Sequence, residues 1–463
     1  MNPPNTTAFE PLRRSLKGVL VTPDDAQYEE ARKVWNGDID RRPAAIAQAR
    51  TVDDVRAAIA FAREHGVKLA IKSGGHSLPG HCIADGALML DMRGLNRVTV
   101  DPAKRTAVVQ GGAIWSEVDG PAQAHGLAVT GGHVSHTGVA GLTLGGGIGH
   151  LMRKLGLVVD NLLAAEVVTA DGRVLRASAT ENADLFWGIR GGGGNFGVVT
   201  EFTFQLHPVG PMVLGGLAFF APSKGPELMK RWRELCANCP DELTTILVYL
   251  HAPPFDFVPA DVQLKPGWAL IAAGTDIAIA EKMVRPIRDM GTLFDVIQPM
   301  PYLAVQGMLD PAQPHGTKSY LKASYVHEMS DALIDTVQLR ALAMPPGTSA
   351  LFNLQMGGAV TRVAEDATAV GGRMSPMQTM FLGSWPEDAQ RADVVDWVRS
   401  SSTALEPFAH GAYVNLSDTQ DEAALKRTYG AAKFAKLQAL KAKYDPDNVF
   451  CLNQNIKPAA VPV

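Results

Sequence analysis

The apolar positions of this chain change period several times, and each change marks an element. In TVDDVRAAIAFAREHG, Val55, Ile59 and Ala62 fall on one face of a helix. Thr51 is placed to cap it, with Asp54 three residues on, and Gly66 ends it. The run VKLAIKS reads as a buried strand leading into glycines. GALMLDM and TAVVQGG are further strands, and EVVTADGRVLRAS is a hairpin turning at Asp171-Gly172.

Beyond about Leu206 the pattern shifts. HPVGPMV and APSKGPE mark a boundary, after which amphipathic helices alternate with strands such as LTTILVYL, WALIAAG and ALFNLQMGGAV. An antiparallel sheet with helices on one face satisfies that alternation. A last long helix carries Phe434, Leu437, Leu440 and Tyr444 and stops at Asp445-Pro446. The closing YDPDNVFCLNQNIKP is polar but keeps Phe450, Leu452 and Ile456, as a docked chain end does.

Composition narrows the possibilities. A chain of 463 residues exceeds what one core serves, so two domains are expected. A net charge of −4 with scattered Lys and Arg offers no basic field for nucleic acid or an anionic membrane. Four cysteines are too few for a disulfide framework, and the CxxC of Cys236 and Cys239 lacks the further ligands of a zinc site. MNPPNTTAFEPLRRSLKG has no apolar leader core, and no run is long enough to span a bilayer. A soluble, cytoplasmic protein is expected, as monomer or homodimer.

Glycine is the informative residue. Gly74-Gly75, the stretch GGHVSHTGVAGLTLGGGIGHL and the stretch GIRGGGGNFGVVTEF form three clusters. Glycines let backbone N–H groups approach a ligand that a Cβ would hold off, and three clusters imply a dinucleotide-sized one. Tight turns alone are the competing explanation. GGGGNFG lacks the Lys-Ser/Thr of a P-loop, and no GxGxxG sits on a strand-to-helix turn. Histidines are frequent in this half, but they lack acidic or Cys partners at ligand spacing, so no metal is expected.

Four stretches, IKSGGHS, GLTLGGGIG, DLFWGIRGGGGNFGVVTEFTF and YDPDNVFCLNQNI, together closely resemble the berberine-bridge-enzyme-like FAD-linked oxidases of the vanillyl-alcohol-oxidase superfamily. The resemblance is strong over about Trp35–Pro208 and the last twenty residues, and only outline-deep between. It implies an α+β fold: a PCMH-type FAD-binding domain (1–207 with 417–463, core about 36–208) and a substrate domain (208–416) whose antiparallel sheet is covered by helices. It implies covalent FAD on His76, whose imidazole is nucleophilic toward the flavin 8α-methyl. Lys72, Ser73, Gly74, Gly75 and Ser77 would cradle the pyrophosphate. Gly138, Gly141, Gly145, Gly146, Gly147, Gly149 and Val199 would line the rest, and Asn453 and Asn455 would close the site.

One departure from the family pattern bears on the cofactor. Where many relatives carry a second, cysteinyl link, Val134 stands, so a single linkage through His76 is expected. The oxygen-controlling position falls on Thr137, a modest side chain that favours an oxidase. His133, Ser135 and His136 would lie beside the flavin ring.

In HGAYVNLSD, Tyr413 and Asn415 share a face if the segment is a strand. Tyr413 is then a candidate base, provided a neighbour lowers its pKa from about 10, or it is a packed aromatic. Relatives have a second Tyr where Leu416 stands. Gln355 and Gln378 lie on strands of the substrate domain as candidate site residues. The implied reaction is hydride transfer from a C–OH or C–N bond of a small molecule to FAD, with O2 reoxidising the flavin to give H2O2. Another electron acceptor, oxygenation, or an inactive flavin-binding protein are the alternatives.

Overall fold

The computed structural model describes residues 6–418 and 421–459. Met1–Asn5 and the last four residues, 460–463, lie outside the described residues. The predicted first helix runs Val52–His65. Thr51 and Asp54 form a reciprocal capping box, and Gly66 at φ 64° ends it in the left-handed region.

Two sheets occupy the first part of the chain. In one, Val19–Val21, Ala45–Gln48, Leu88–Asp91 and Leu69–Lys72 lie side by side, the first pair antiparallel and the others parallel. The other is antiparallel, in the order Val98–Asp101, Thr106–Gln110, Val198–Gln205, Leu162–Val168, Val174–Ser178. The hairpin expected at Asp171-Gly172 joins its last two strands, with Gly172 at φ 81°.

A nine-stranded antiparallel sheet follows. Its central order is Met212–Phe220, Pro266–Gly274, Leu243–His251, Ala350–Gln355, Met377–Trp385, Lys318–Val326, Ala409–Gly411. Helices 225–237, 277–288, 331–342 and 391–405 cover one face. The other face packs on Ile148, Met152, Leu157 and Val159 of the first part. The helix Ala431–Tyr444 returns: Phe434, Leu437, Leu440 and Tyr444 join the core beneath the five-stranded sheet. Lys441 and Asp445, both fully buried, form an ion pair at its end, and Asp445 also accepts from the N–H groups of Val449 and Phe450.

The two parts are joined by a buried ion pair. Both guanidinium nitrogens of Arg373 donate to Asp160, at 2.8 and 2.9 Å, and one also reaches Thr368 Oγ1. No helix among the described residues is long and apolar enough to cross a membrane.

Candidate active site

The strand Leu69–Lys72 ends at Ser73, and the chain then turns with Gly75 at φ 75°. Gly74 and Gly138 approach so closely that a Cβ on Gly74 would lie 2.4 Å from Gly138 N. This contact brings His76 beside the loop 133–137. Ser73 Oγ donates to Gly111 O, and Ser77 Oγ accepts from the N–H of His81, so both hydroxyls brace the turn. The backbone N–H groups of Gly74, Gly75 and His76 donate to no acceptor among the described residues, whereas that of Ser77 is turned to the Cys82 thiol. A run of such groups is a ready cradle for a phosphate.

Lys72 contributes only its backbone there. Its side chain turns the other way, with Nζ donating to Ala31 O at 2.9 Å and Lys33 O at 2.5 Å. Burial pushes that amine down to about 8.

His76 Nε2 and His136 Nδ1 are 2.8 Å apart, and the His76 ring stacks on Trp35 with centroids 5.3 Å apart. His315, from the loop before the strand Lys318–Val326, completes a cluster whose ligand atoms all lie within 4.8 Å of one another. Burial, then the neighbouring rings, push His76 down to about 3, so it is neutral at pH 7. With its proton on Nε2 toward His136, the Nδ1 lone pair is free to act as a nucleophile. The three imidazoles also amount to a candidate ligand set that spacing along the chain did not show.

The loop 133–137 is gripped from the side of the nine-stranded sheet. Ser135 N and Oγ donate to the two oxygens of Asp310 at 2.8 and 2.5 Å. Gln306 donates to Gly132 O. Val134 and Thr137 are half-buried on this loop. His133 turns inward and meets His150 edge-on at 4.7 Å.

The glycine run 145–149 has a different role from the one expected. A Cβ on Gly145 would lie 2.1 Å from Asn415 Oδ1, one on Gly147 2.3 Å from Val158 Cγ2, and one on Gly149 1.6 Å from Gly131 O. Gly146, at φ 119°, packs on Val370 and Tyr413. These glycines admit protein against protein. At Gly141 and Gly194, by contrast, no atom lies within 4 Å of where a Cβ would stand, so these two keep a cradle open.

Tyr413 is not on a strand. The strand ends at Gly411 and a 3-10 turn spans Val414–Leu416. The turn still places Tyr413 and Asn415 on one side: Tyr413 Oη accepts from Gly147 N–H at 2.8 Å and from Asn415 Nδ2 at 2.9 Å. Burial nonetheless pushes the phenol up to about 12, against these two donors, so its proton stays on at neutral pH. The lowering that a basic role requires is not present.

Gln355 faces the wrong side of the sheet. Its Oε1 accepts from Thr245 N and Oγ1 under Trp232 of the covering helices. Gln378 faces the first part of the chain, beside Tyr325 and Leu354. Val199 is a core side chain rather than a lining one. Asn453 donates to Gly194 O, and Asn195 bonds Gln454 O and Ile456 N, so the closing segment is fastened to the GGGG loop. Asn455 keeps a buried Oδ1 with no protein partner beside them.

His315, Asp310 and Trp35 escaped the sequence reading. Each lies in a loop or at a turn with no periodic neighbours, and only the tertiary fold brings them to His76.

The N–H cradle, the open glycines and the neutral His76 fit a dinucleotide lying between the two parts, and the comparisons agree. The family described as "FAD binding domain" matches residues 43–178, and "Berberine and berberine like" matches 412–457. The chain is 32% identical to an FAD-linked oxidoreductase of Dictyostelium discoideum, over 96% of this chain and 95% of that one. Two solved structures superpose on nearly the whole chain. One is 6-hydroxy-D-nicotine oxidase from Arthrobacter nicotinovorans, with a TM-score of 0.87, 25% identity, and 96% and 99% coverage of the two chains. The other is a chitooligosaccharide oxidase, with 0.84, 25%, 98% and 100%.

Proposed function

The chain belongs to the berberine-bridge-enzyme-like FAD-linked oxidoreductases, and from that premise we propose that it is an oxidase carrying FAD bonded once, through His76. The supporting observation is the pairing of a neutral His76 with the unpartnered N–H groups of residues 74–76. When bound, the flavin supplies the two-electron acceptor that no side chain offers.

The chain's own residues do the rest. The N–H groups of 74–76 would hold the pyrophosphate, and Gly141 and Gly194 leave room for the cofactor body. His136 holds His76 Nε2 and aims Nδ1 outward. Val134 stands where a second, cysteinyl link would need a thiol, which supports a single bond. Tyr413, with two donors on its oxygen and its own proton retained, acts as a hydrogen-bond donor to the reacting centre.

The modest Thr137 leaves oxygen a path, which supports O2 as acceptor and H2O2 as product. The names of the two similar structures, both oxidases, support the same reading. The substrate is a small organic molecule losing hydride from a C–OH or C–N bond. The test is to reduce the protein without oxygen and then admit air. Recolouring within the mixing time, with stoichiometric H2O2, is expected. Flavin that stays bleached in air but is recoloured by a quinone would overturn the oxidase reading.

A further inference from the structure

The register of the nine-stranded sheet defines the wall turned toward the first part of the chain, around Ile148, Met152 and Tyr413. Tyr325, Gln378, Leu354 and Ile246 form one row across four strands. Ala323, Met380, Phe352 and Val248 form the next. Leu78, two residues past His76, and Leu416, three past Tyr413, pack against this wall together with Leu321 and Leu382.

Within these rows Gln378 is the single amide, and no residue is charged. Gln378 is 0% exposed, and neither its Oε1 nor its Nε2 has a partner among the described residues. Leaving such a group unpaired costs about 1–3 kcal/mol. A leucine of similar size would avoid that cost, so the amide is kept for something that binds there.

The titratable groups packed around it are few. Tyr325 and Tyr413 are phenols that burial holds protonated. Arg373 is committed to Asp160. His410 stacks on His327 at 4.1 Å and bonds Ser375. His76, His136 and His315 are gathered on one another rather than on these rows.

The geometry points to a compact, largely apolar amine as the substrate class, taken up as the free base and anchored through one hydrogen bond to Gln378. This rests on the flavin-dependent reading above. An oligosaccharide brings hydroxyls around every ring, each needing a partner once buried, and the wall offers one amide. An alcohol must surrender its O–H proton to a base, and the rows carry none.

A neutral amine needs no base. The C–H bond beside nitrogen breaks, its electron pair leaves as hydride to the flavin, and the nitrogen lone pair closes the C=N bond of an iminium ion. The flavin gains two electrons, and no proton is handed to the protein. Neither row carries a carboxylate to hold the ammonium form, Asp160 being committed to Arg373 and Asp310 to Ser135, so the free base is selected.

The test is anaerobic bleaching of the holoenzyme by three matched probes: 2-phenylpyrrolidine, 1-phenylethanol and N,N′-diacetylchitobiose. The amine alone should bleach the flavin. Its rate per unit concentration should rise about tenfold per pH unit up to the amine's own pKa, and that break should move with the pKa across ring-substituted amines. Gln378→Leu should raise the half-saturating amine concentration about tenfold with the melting temperature and flavin content kept, and Gln378→Met should repeat it.

Bleaching by the alcohol or the saccharide with the amine inert would overturn the proposal. So would a pH break that stays fixed across the amines, or an unchanged affinity in both variants. Protein that purifies with no flavin would instead overturn the oxidase reading beneath it.

Discussion

Two opposing effects meet on the oxygen of Tyr413. Donors from Gly147 and Asn415 favour the phenolate, and burial favours the phenol more strongly. Tyr413→Phe should strand the Gly147 N–H and cost about 1–3 kcal/mol, read as a lower urea midpoint in the cofactor-free protein. An unchanged midpoint would mean that the two donors find other acceptors. Asp160→Asn leaves the Arg373 guanidinium buried beside a neutral amide, and a loss of about 3–5 kcal/mol is expected in the same measurement. His76 and Tyr413 stand out in the sequence because each lies inside a motif, though the basic role expected of Tyr413 does not follow from its surroundings. His315 was not, because nothing near it in the sequence shows that the fold will carry it to His76. Gln355 was misread because a strand's two faces are both polar-tolerant on paper, and only the sheet's packing tells which one meets Trp232.

Elements differ in how much of themselves they show in one dimension. The helix Val52–His65 carries its cap, its apolar face and its glycine stop within a few residues of one another, so it was legible in full. The strand Leu243–His251 was equally clear as a strand. That Pro266–Gly274 and Ala350–Gln355, themselves readable as strands, are the ones beside it is decided by tertiary packing and leaves no local trace. Glycines expose the same limit: a cofactor cradle and a close chain crossing demand the same residue. Substitution separates them. Gly145→Ala should displace Asn415, whose Oδ1 lies 2.1 Å from the new Cβ, and destabilise the protein with or without FAD. Gly141→Ala meets no protein atom and should stabilise its helix by about 0.5–1 kcal/mol while lowering the FAD bound per chain. Equal FAD content in wild type and Gly141→Ala would remove Gly141 from the cradle.

For the whole molecule, the distinctive feature is how many histidines are buried neutral. His76 is pushed down to about 3 and His81 and His133 to about 4, and His150 is also lowered, burial being the main cause in each. Below about pH 6.5 the unfolded chain binds protons at these rings that the folded chain refuses. Stability is therefore full above that value and falls as the pH drops toward 4, where the folded rings begin to titrate. Urea midpoints for the cofactor-free protein should decline steadily from pH 7 to pH 4.5, and a flat profile would show that the rings are solvated or already protonated.

The fold's two parts meet at the His76 loop, and the account stands on what that residue carries. Intact mass of the denatured, purified protein tests it most directly. The chain should be heavier than its sequence by one FAD, and His76→Ala should restore the bare mass while the other residues of the loop stay unmodified. A bare mass for the unmutated protein, with all its FAD released into the acid supernatant, would contradict it.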